Sequence, residues 1–126
     1  MKNTIALIAH NSRKTDLLNW AKVHRETLVK YNLIGTTNTA KLINDMLELE
    51  VSGFGHGPSG GDIILAAKIL GGEVQKVIFF IDAETPHGHE HDIQTLIRTA
   101  VINNIPIALN RASADLIILD EDGQQK

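Results

Sequence analysis

Three aspartates, Asp62, Asp82 and Asp92, stand at positions from which they can do chemistry together. Carboxylates gathered in one cleft repel one another, so one of them can hold a proton near neutral pH and serve as a general base or acid. Asp62 is the best candidate for the base. It closes the stretch Gly53-Phe54-Gly55-His56-Gly57-Pro58-Ser59-Gly60-Gly61-Asp62, five glycines in ten residues, which runs into the apolar Ile63-Ile64-Leu65-Ala66-Ala67. Glycine at that density marks a backbone that turns tightly or approaches a ligand. A helix beginning there offers free N–H groups and a positive dipole end to a phosphate or carboxylate. The stretch is neither a P-loop nor a dinucleotide fingerprint, since it lacks Gly-Lys-Ser/Thr and the G-x-G-x-x-G spacing. His10 with Lys14, and Thr36 with Thr37, add an imidazole, a cation and two hydroxyls, the equipment of a phosphate cradle that needs no magnesium. Each has a plainer use, the threonines and aspartates as helix caps and Lys14 as a solvated cation. His87, His89 and His91 alternate along a polar loop, so an extended chain would put three imidazoles on one side. A proton donor among them is preferred over a metal site, because no second ligand group stands at a clear spacing.

The elements that must position these residues alternate regularly. Thr4–Ala9 is a continuous apolar run, as in a strand covered on both faces, with His10 at its carboxyl end. Leu17, Leu18, Trp20, Ala21, His24, Leu28 and Val29 form one stripe of a helix expected from about Asp16 to Lys30. Tyr31–Gly35 reads as a second strand, followed by an amphipathic helix through Ala40, Leu42, Ile43, Met46 and Leu47. Leu49–Ser52 is a weak third strand before the glycine stretch, and Gly61–Leu70 a helix that stops at Gly71-Gly72. Val77–Ile81, five consecutive β-branched or aromatic residues, reads as the centre of a parallel sheet. A helix from about Asp92 to Asn103-Asn104, a strand Ile105–Leu109 and a short helix or strand over Ala112–Leu119 complete the chain. This is the pattern of one doubly wound α/β domain over residues 1–126 with a five-stranded, mostly parallel sheet, whose ligands bind outside the carboxyl ends of the strands. All the polar residues named above fall at such ends.

Composition narrows the partners. The chain has 126 residues, 43% hydrophobic and 21% charged, with a formal charge of -3, which offers no broad basic face to nucleic acid. Aromatic residues make up 4% and leave no stacking platform for bases, so Trp20, Phe54, Phe79 and Phe80 read as packing residues. Cysteine is absent, which excludes disulfides and thiol catalysis. The Thr4–Ala9 run is too short for a bilayer and has no cleavage pattern, so a small-molecule partner and a cytoplasmic location are expected.

The order Ile8-Ala9-His10 with Lys14, Gly35-Thr36-Thr37, Gly57-Pro58-Ser59-Gly60-Gly61-Asp62, Phe79-Phe80 before Asp82, His89 with Asp92, and Asn104-Ile105-Pro106-Ile107-Ala108 before Asn110 resembles methylglyoxal synthase over nearly the whole chain. The same fold is similar to that of inosinate cyclohydrolase and of the regulatory domain of carbamoyl phosphate synthetase. The resemblance implies a cofactor-free homohexameric lyase that converts dihydroxyacetone phosphate to methylglyoxal and inorganic phosphate. It also implies the roles. Asp62 would be the base, His89 would polarise the substrate oxygens, and Asp92 and Asp82 would assist proton movement. His10, Lys14, Thr36, Thr37, His56 and Gly57 would hold the phosphate.

The sequence departs from the family pattern in several places. Asn11 stands where an aspartate usually follows the strand-one histidine, His56 where a serine precedes Gly-Pro, and Ile63-Ile64 where two glutamines follow the base. Ala83-Glu84 and Gly88-His89-Glu90-His91-Asp92 replace the proline-rich loop, and no arginine follows Arg111 to reach the phosphate. These departures motivate an alternative, a catalytically weak binding or regulatory module that senses a small phosphorylated metabolite.

Overall fold

The computed structural model describes the backbone of residues 2–55, 61–84 and 90–124, with the side chains of these residues except 90–92 and 119–124. Five strands, β1 (Thr4–Ala9), β2 (Asn32–Thr36), β3 (Val51–Phe54), β4 (Lys76–Phe80) and β5 (Ile107–Ala108), form one sheet in the order β3-β2-β1-β4-β5. Every neighbouring pair is parallel. The helices are α1 (Lys14–Val23), α2 (Arg25–Leu28), α3 (Thr37–Leu47), α4 (Gly61–Leu70), α5 (Glu90–Ile102) and α6 (Arg111–Gln124).

The unbroken apolar runs of β1 and β4 follow from burial on both faces. Side chains alternate across a strand, so Ile5, Leu7, Ile78 and Phe80 meet α1, α3 and α6 through Leu17, Trp20, Ala40, Ile43 and Ile118. Ala6, Ile8, Val77 and Phe79 meet α4 and α5 through Leu65, Ala66, Ile69 and Leu96 on the other side. A parallel sheet needs both layers, because a face left wet would expose half of each apolar strand.

Strands β2 and β4 are each displaced by one residue from the expected runs, and four further segments differ from the sequence reading or complete it. The single helix expected from Asp16 to Lys30 is a 3-10 turn over Asn11–Arg13, then α1 and α2 with a break at His24. His24 leaves the helical region (φ -103°, ψ 19°). Its ring lies on Trp20 at 4.9 Å, and its Nε2 is 3.0 Å from Asp115 Oδ1, which also accepts a 2.9 Å bond from Trp20 Nε1. Strand β3 begins two residues late and continues into the glycine stretch, because α3 lies so close that a Cβ on Gly53 would stand 2.9 Å from Thr37 Cα. Strand β5 shrinks to two residues after Pro106, which has no N–H for a ladder, although its carbonyl still accepts from Val77 N at 3.0 Å. The segment left open between helix and strand, Ala112–Leu119, belongs to α6.

The outer side of β3 is closed by a side chain. Asn44 of α3 donates from Nδ2 to Val51 O at 2.9 Å and accepts from Val51 N at 2.8 Å, standing in for a sixth strand. Asn44→Ala should lower the unfolding free energy by about 1 kcal/mol, since water can replace only part of this pairing at a half-buried edge. Chemical denaturation compares the two proteins, and an unchanged midpoint would mean that water satisfies Val51 equally well.

Candidate active site

From β1 the chain adds β2 and β3 on one side and then β4 and β5 on the other, so the strand order reverses between β1 and β4. Such a reversal opens a crevice beyond the carboxyl ends of those two strands, because their connections leave on opposite faces. His10 follows β1 directly and continues the ladder, donating from its backbone N to Phe80 O at 3.1 Å. Asp82 lies two residues past β4, and both residues are buried, at 7% and 8% exposure. The Asp82 backbone N–H donates to His10 Nδ1 at 2.8 Å, and the imidazole stands edge-on to Phe79, with centroids 5.2 Å apart. Ser12 Oγ donates to Asp82 Oδ2 at 2.6 Å, and Glu84 N donates to Oδ1 at 3.1 Å. Lys14 opens α1 from a half-buried position. Among the described residues its ammonium pairs with no carboxylate.

One strand away, Thr36 ends β2 and Thr37 opens α3. Thr36 Oγ1 donates to Thr39 Oγ1 at 3.2 Å, and Thr37 N donates to Gly55 O at 3.3 Å. The glycine stretch folds onto this corner. Gly55 takes φ +72°, and a Cβ there would lie 2.6 Å from Gly61 Cα, while one on Gly61 would lie 2.9 Å from Thr36 Cγ2. Only residues without side chains permit that approach. It sets the first turn of α4, with half-buried Asp62 in it, against the end of β2. The N–H groups of a helix's first turn and the dipole of this ten-residue helix favour an anion there.

The structure therefore joins His10 to Asp82, and Thr36 and Thr37 to the turn that carries Asp62, on adjacent strand ends. His56, Gly57, His87 and His89 lie outside the described residues, as do the side chains of His91 and Asp92 on α5. Ser12 was not anticipated. Its signal was slight, a hydroxyl two residues beyond a strand-end histidine, with a partner 70 positions away. Among the described residues no cluster of three or more histidine, cysteine or acidic side chains could hold a metal ion. None of their helices is long and apolar enough to cross a membrane. A cavity of about 580 Å³ lies elsewhere, bordered by Lys2, Tyr31, Asn32, Glu50, Phe54 and Lys68, and none of the candidate residues lines it. Its walls mix Lys2 and Lys68 with Glu48, Glu50 and Glu73, whereas the candidate residues of the sequence gather at the strand-end crevice.

Fold and site together define a parallel α/β domain with a polar crevice at its topological switch point. The MGS-like domain model matches residues 16–109, and the chain belongs to that family. A methylglyoxal synthase of Leptospira interrogans is 50% identical over 114 residues, 90% of this chain and 77% of its own length. One of Clostridium botulinum is 42% identical over 90% of this chain and 96% of its own. The crystal structure of methylglyoxal synthase from Elizabethkingia anophelis superposes with a TM-score of 0.88 at 41% identity, covering 93% of this chain and 77% of that one.

Proposed function

We propose that the chain is a lyase that converts dihydroxyacetone phosphate to methylglyoxal and inorganic phosphate. The observation that carries the reading is the placement of Asp62 in a helix turn held tightly against Thr36, a carboxylate beside a helix N-terminus of the kind that favours an anion. Relatives named methylglyoxal synthase support it at the level of the family.

In this reading Asp62 removes a proton from the hydroxyl-bearing carbon next to the carbonyl, and the electron pair moves onto the carbonyl oxygen. His89 donates to the substrate oxygens as charge builds there. The enediolate then expels phosphate by breaking the carbon–oxygen bond, and the enol that remains ketonises to methylglyoxal. Asp82 and Asp92 assist the proton movements. His10, Lys14, Thr36, Thr37, His56 and Gly57 hold the phosphate throughout. No cofactor is required, since the carbonyl of the substrate is the electron sink. The reading extends to a cytoplasmic homohexamer, for which exposed Ile63, Leu70, Val101 and Ile102 on α4 and α5 are suitable contact residues.

Purified protein incubated with dihydroxyacetone phosphate should release methylglyoxal, captured with a colorimetric trap, and calorimetry should detect phosphate binding. Binding without product would favour the metabolite-sensing module instead. Light scattering checks the hexamer.

Asn11 is exposed in the 3-10 turn between His10 and Ser12. A carboxylate there would add a negative charge to the crevice and raise the pH at which its neighbours ionise. Asn11→Asp should therefore shift the acidic limb of the kcat/KM profile upward, and should raise turnover by up to about 10²-fold if that carboxylate takes part in proton transfer. Superimposable profiles would place position 11 away from the reacting groups.

A further inference from the structure

The bond between Asp82 and His10 fixes more than a distance. A backbone N–H can only donate, so the His10 Nδ1 that receives it at 2.8 Å must present a lone pair. A neutral imidazole then carries its one proton on Nε2. Had the partner been a hydroxyl, either tautomer would fit, and the direction would be a matter of assignment. Here the geometry leaves one choice.

What holds the Asp82 N–H in place is less obvious. Asp82 lies beyond the last paired residue of β4, and the preceding Ile81 reaches Leu109 O only at 3.4 Å. The short contacts come from side chains. Ser12 Oγ binds Asp82 Oδ2 at 2.6 Å, and the carboxylate turns back to its own Glu84 N–H through Oδ1. The 10–12 segment and Asp82 thus exchange two bonds in opposite senses. The His10 ring takes the backbone N–H of Asp82, and the Asp82 carboxylate takes the hydroxyl of Ser12. Such a closed pair holds both segments more firmly than either bond alone.

We infer that Ser12 is a positioning residue: by holding Asp82 it locks His10 in its neutral Nε2–H tautomer and fixes the buried ring in one orientation at the end of β1, so that the wall of the phosphate site at β1 is neutral and rigid and the formal charge partner of the phosphate is Lys14. This rests on the reading of the crevice as a phosphate site. Ser12 itself need not touch the substrate. It acts through Asp82 on the orientation and tautomer of His10, which links the ends of the two strands that border the crevice.

The test uses full-length protein labelled with ¹⁵N-histidine, with the His10 signals assigned by comparison with His10→Gln. Long-range proton–nitrogen spectra near pH 7 should show His10 Nδ1 unprotonated and Nε2 protonated. Ser12→Ala should move both nitrogens toward the averaged shifts of exchanging tautomers and weaken inorganic phosphate about fivefold, the size of one lost hydrogen bond. For dihydroxyacetone phosphate the loss should fall on KM more than on kcat. Ser12→Thr, which keeps the hydroxyl, should restore the spectrum and the affinity. A proton on Nδ1 in the wild-type protein would overturn the inference without any variant, as would a Ser12→Ala spectrum identical to wild type. Failure of the lyase reading looks different: no methylglyoxal forms, yet the Nε2–H signature and its response to Ser12→Ala remain.

Discussion

Asp62→Asn should reduce methylglyoxal production by about two to four orders of magnitude while phosphate binds nearly as before, since a general base typically contributes that much. The amide keeps the shape of the carboxylate but cannot take the proton. Two competing effects are smaller. Asp62 lies in the first turn of α4, so the change forfeits a favourable charge–dipole interaction of about 0.3–1 kcal/mol at the helix N-terminus. The tight approach of Gly55, Gly61 and Thr36, which sets the turn, involves no atom of Asp62 and is untouched. Initial rates with dihydroxyacetone phosphate, paired with phosphate calorimetry and a melting curve, separate lost chemistry from lost structure. Wild-type rates in the variant would move the search for the base to Asp92 or Asp82.

Lys14→Ala comes next in size, with a loss of about 1.5–3 kcal/mol, the range for a hydrogen bond to a charged group. Roughly ten- to hundredfold weaker phosphate should result. The ammonium would contact the phosphate before, during and after the reaction, so its removal should raise KM and the phosphate Kd by similar factors and leave kcat nearly alone. Two features support this assignment over a solvated surface lysine: Lys14 is half-buried at the start of α1, and among the described residues it has no carboxylate partner to neutralise it. Unchanged phosphate affinity would return it to solvent.

The elements that could be read from sequence were those with strong internal pattern and hard stops. Helix α4 runs from Gly61 to Leu70 as expected, because an apolar run is bounded by glycines at both ends, and β4 is displaced by one residue from its apolar run. The break at His24 had no local signal. It is set by Asp115, 91 positions away, which takes hydrogen bonds from two side chains of the α1 region. The extension of β3 through Gly53 was hidden for the opposite reason, since glycine argues locally against a strand and only the closeness of Thr37 explains it. That His10, Lys14, Thr36, Thr37, Asp62 and Asp82 lie at or just beyond strand ends or helix starts on one side of the sheet was legible because a parallel sheet sends all its strand ends the same way. The bonds among them were not. Which nitrogen of His10 is engaged, and that Ser12 supports Asp82, depend on contacts between β1 and β4 that only the folded chain brings about.

The way Asn44 caps Val51 bears on how copies of this chain can meet. A sheet grows into a fibre, or swaps strands with a second molecule, only where an edge offers a strand-length row of unsatisfied backbone groups. On one side that row is interrupted by the Asn44 amide, which takes up both backbone groups of Val51. On the other, β5 is two residues long and directly preceded by Pro106, too short to template a neighbour. Among the described residues the two sheet edges thus offer little for strand addition to pair with, and any self-association would fall to helices and loops, where contacts can close on themselves.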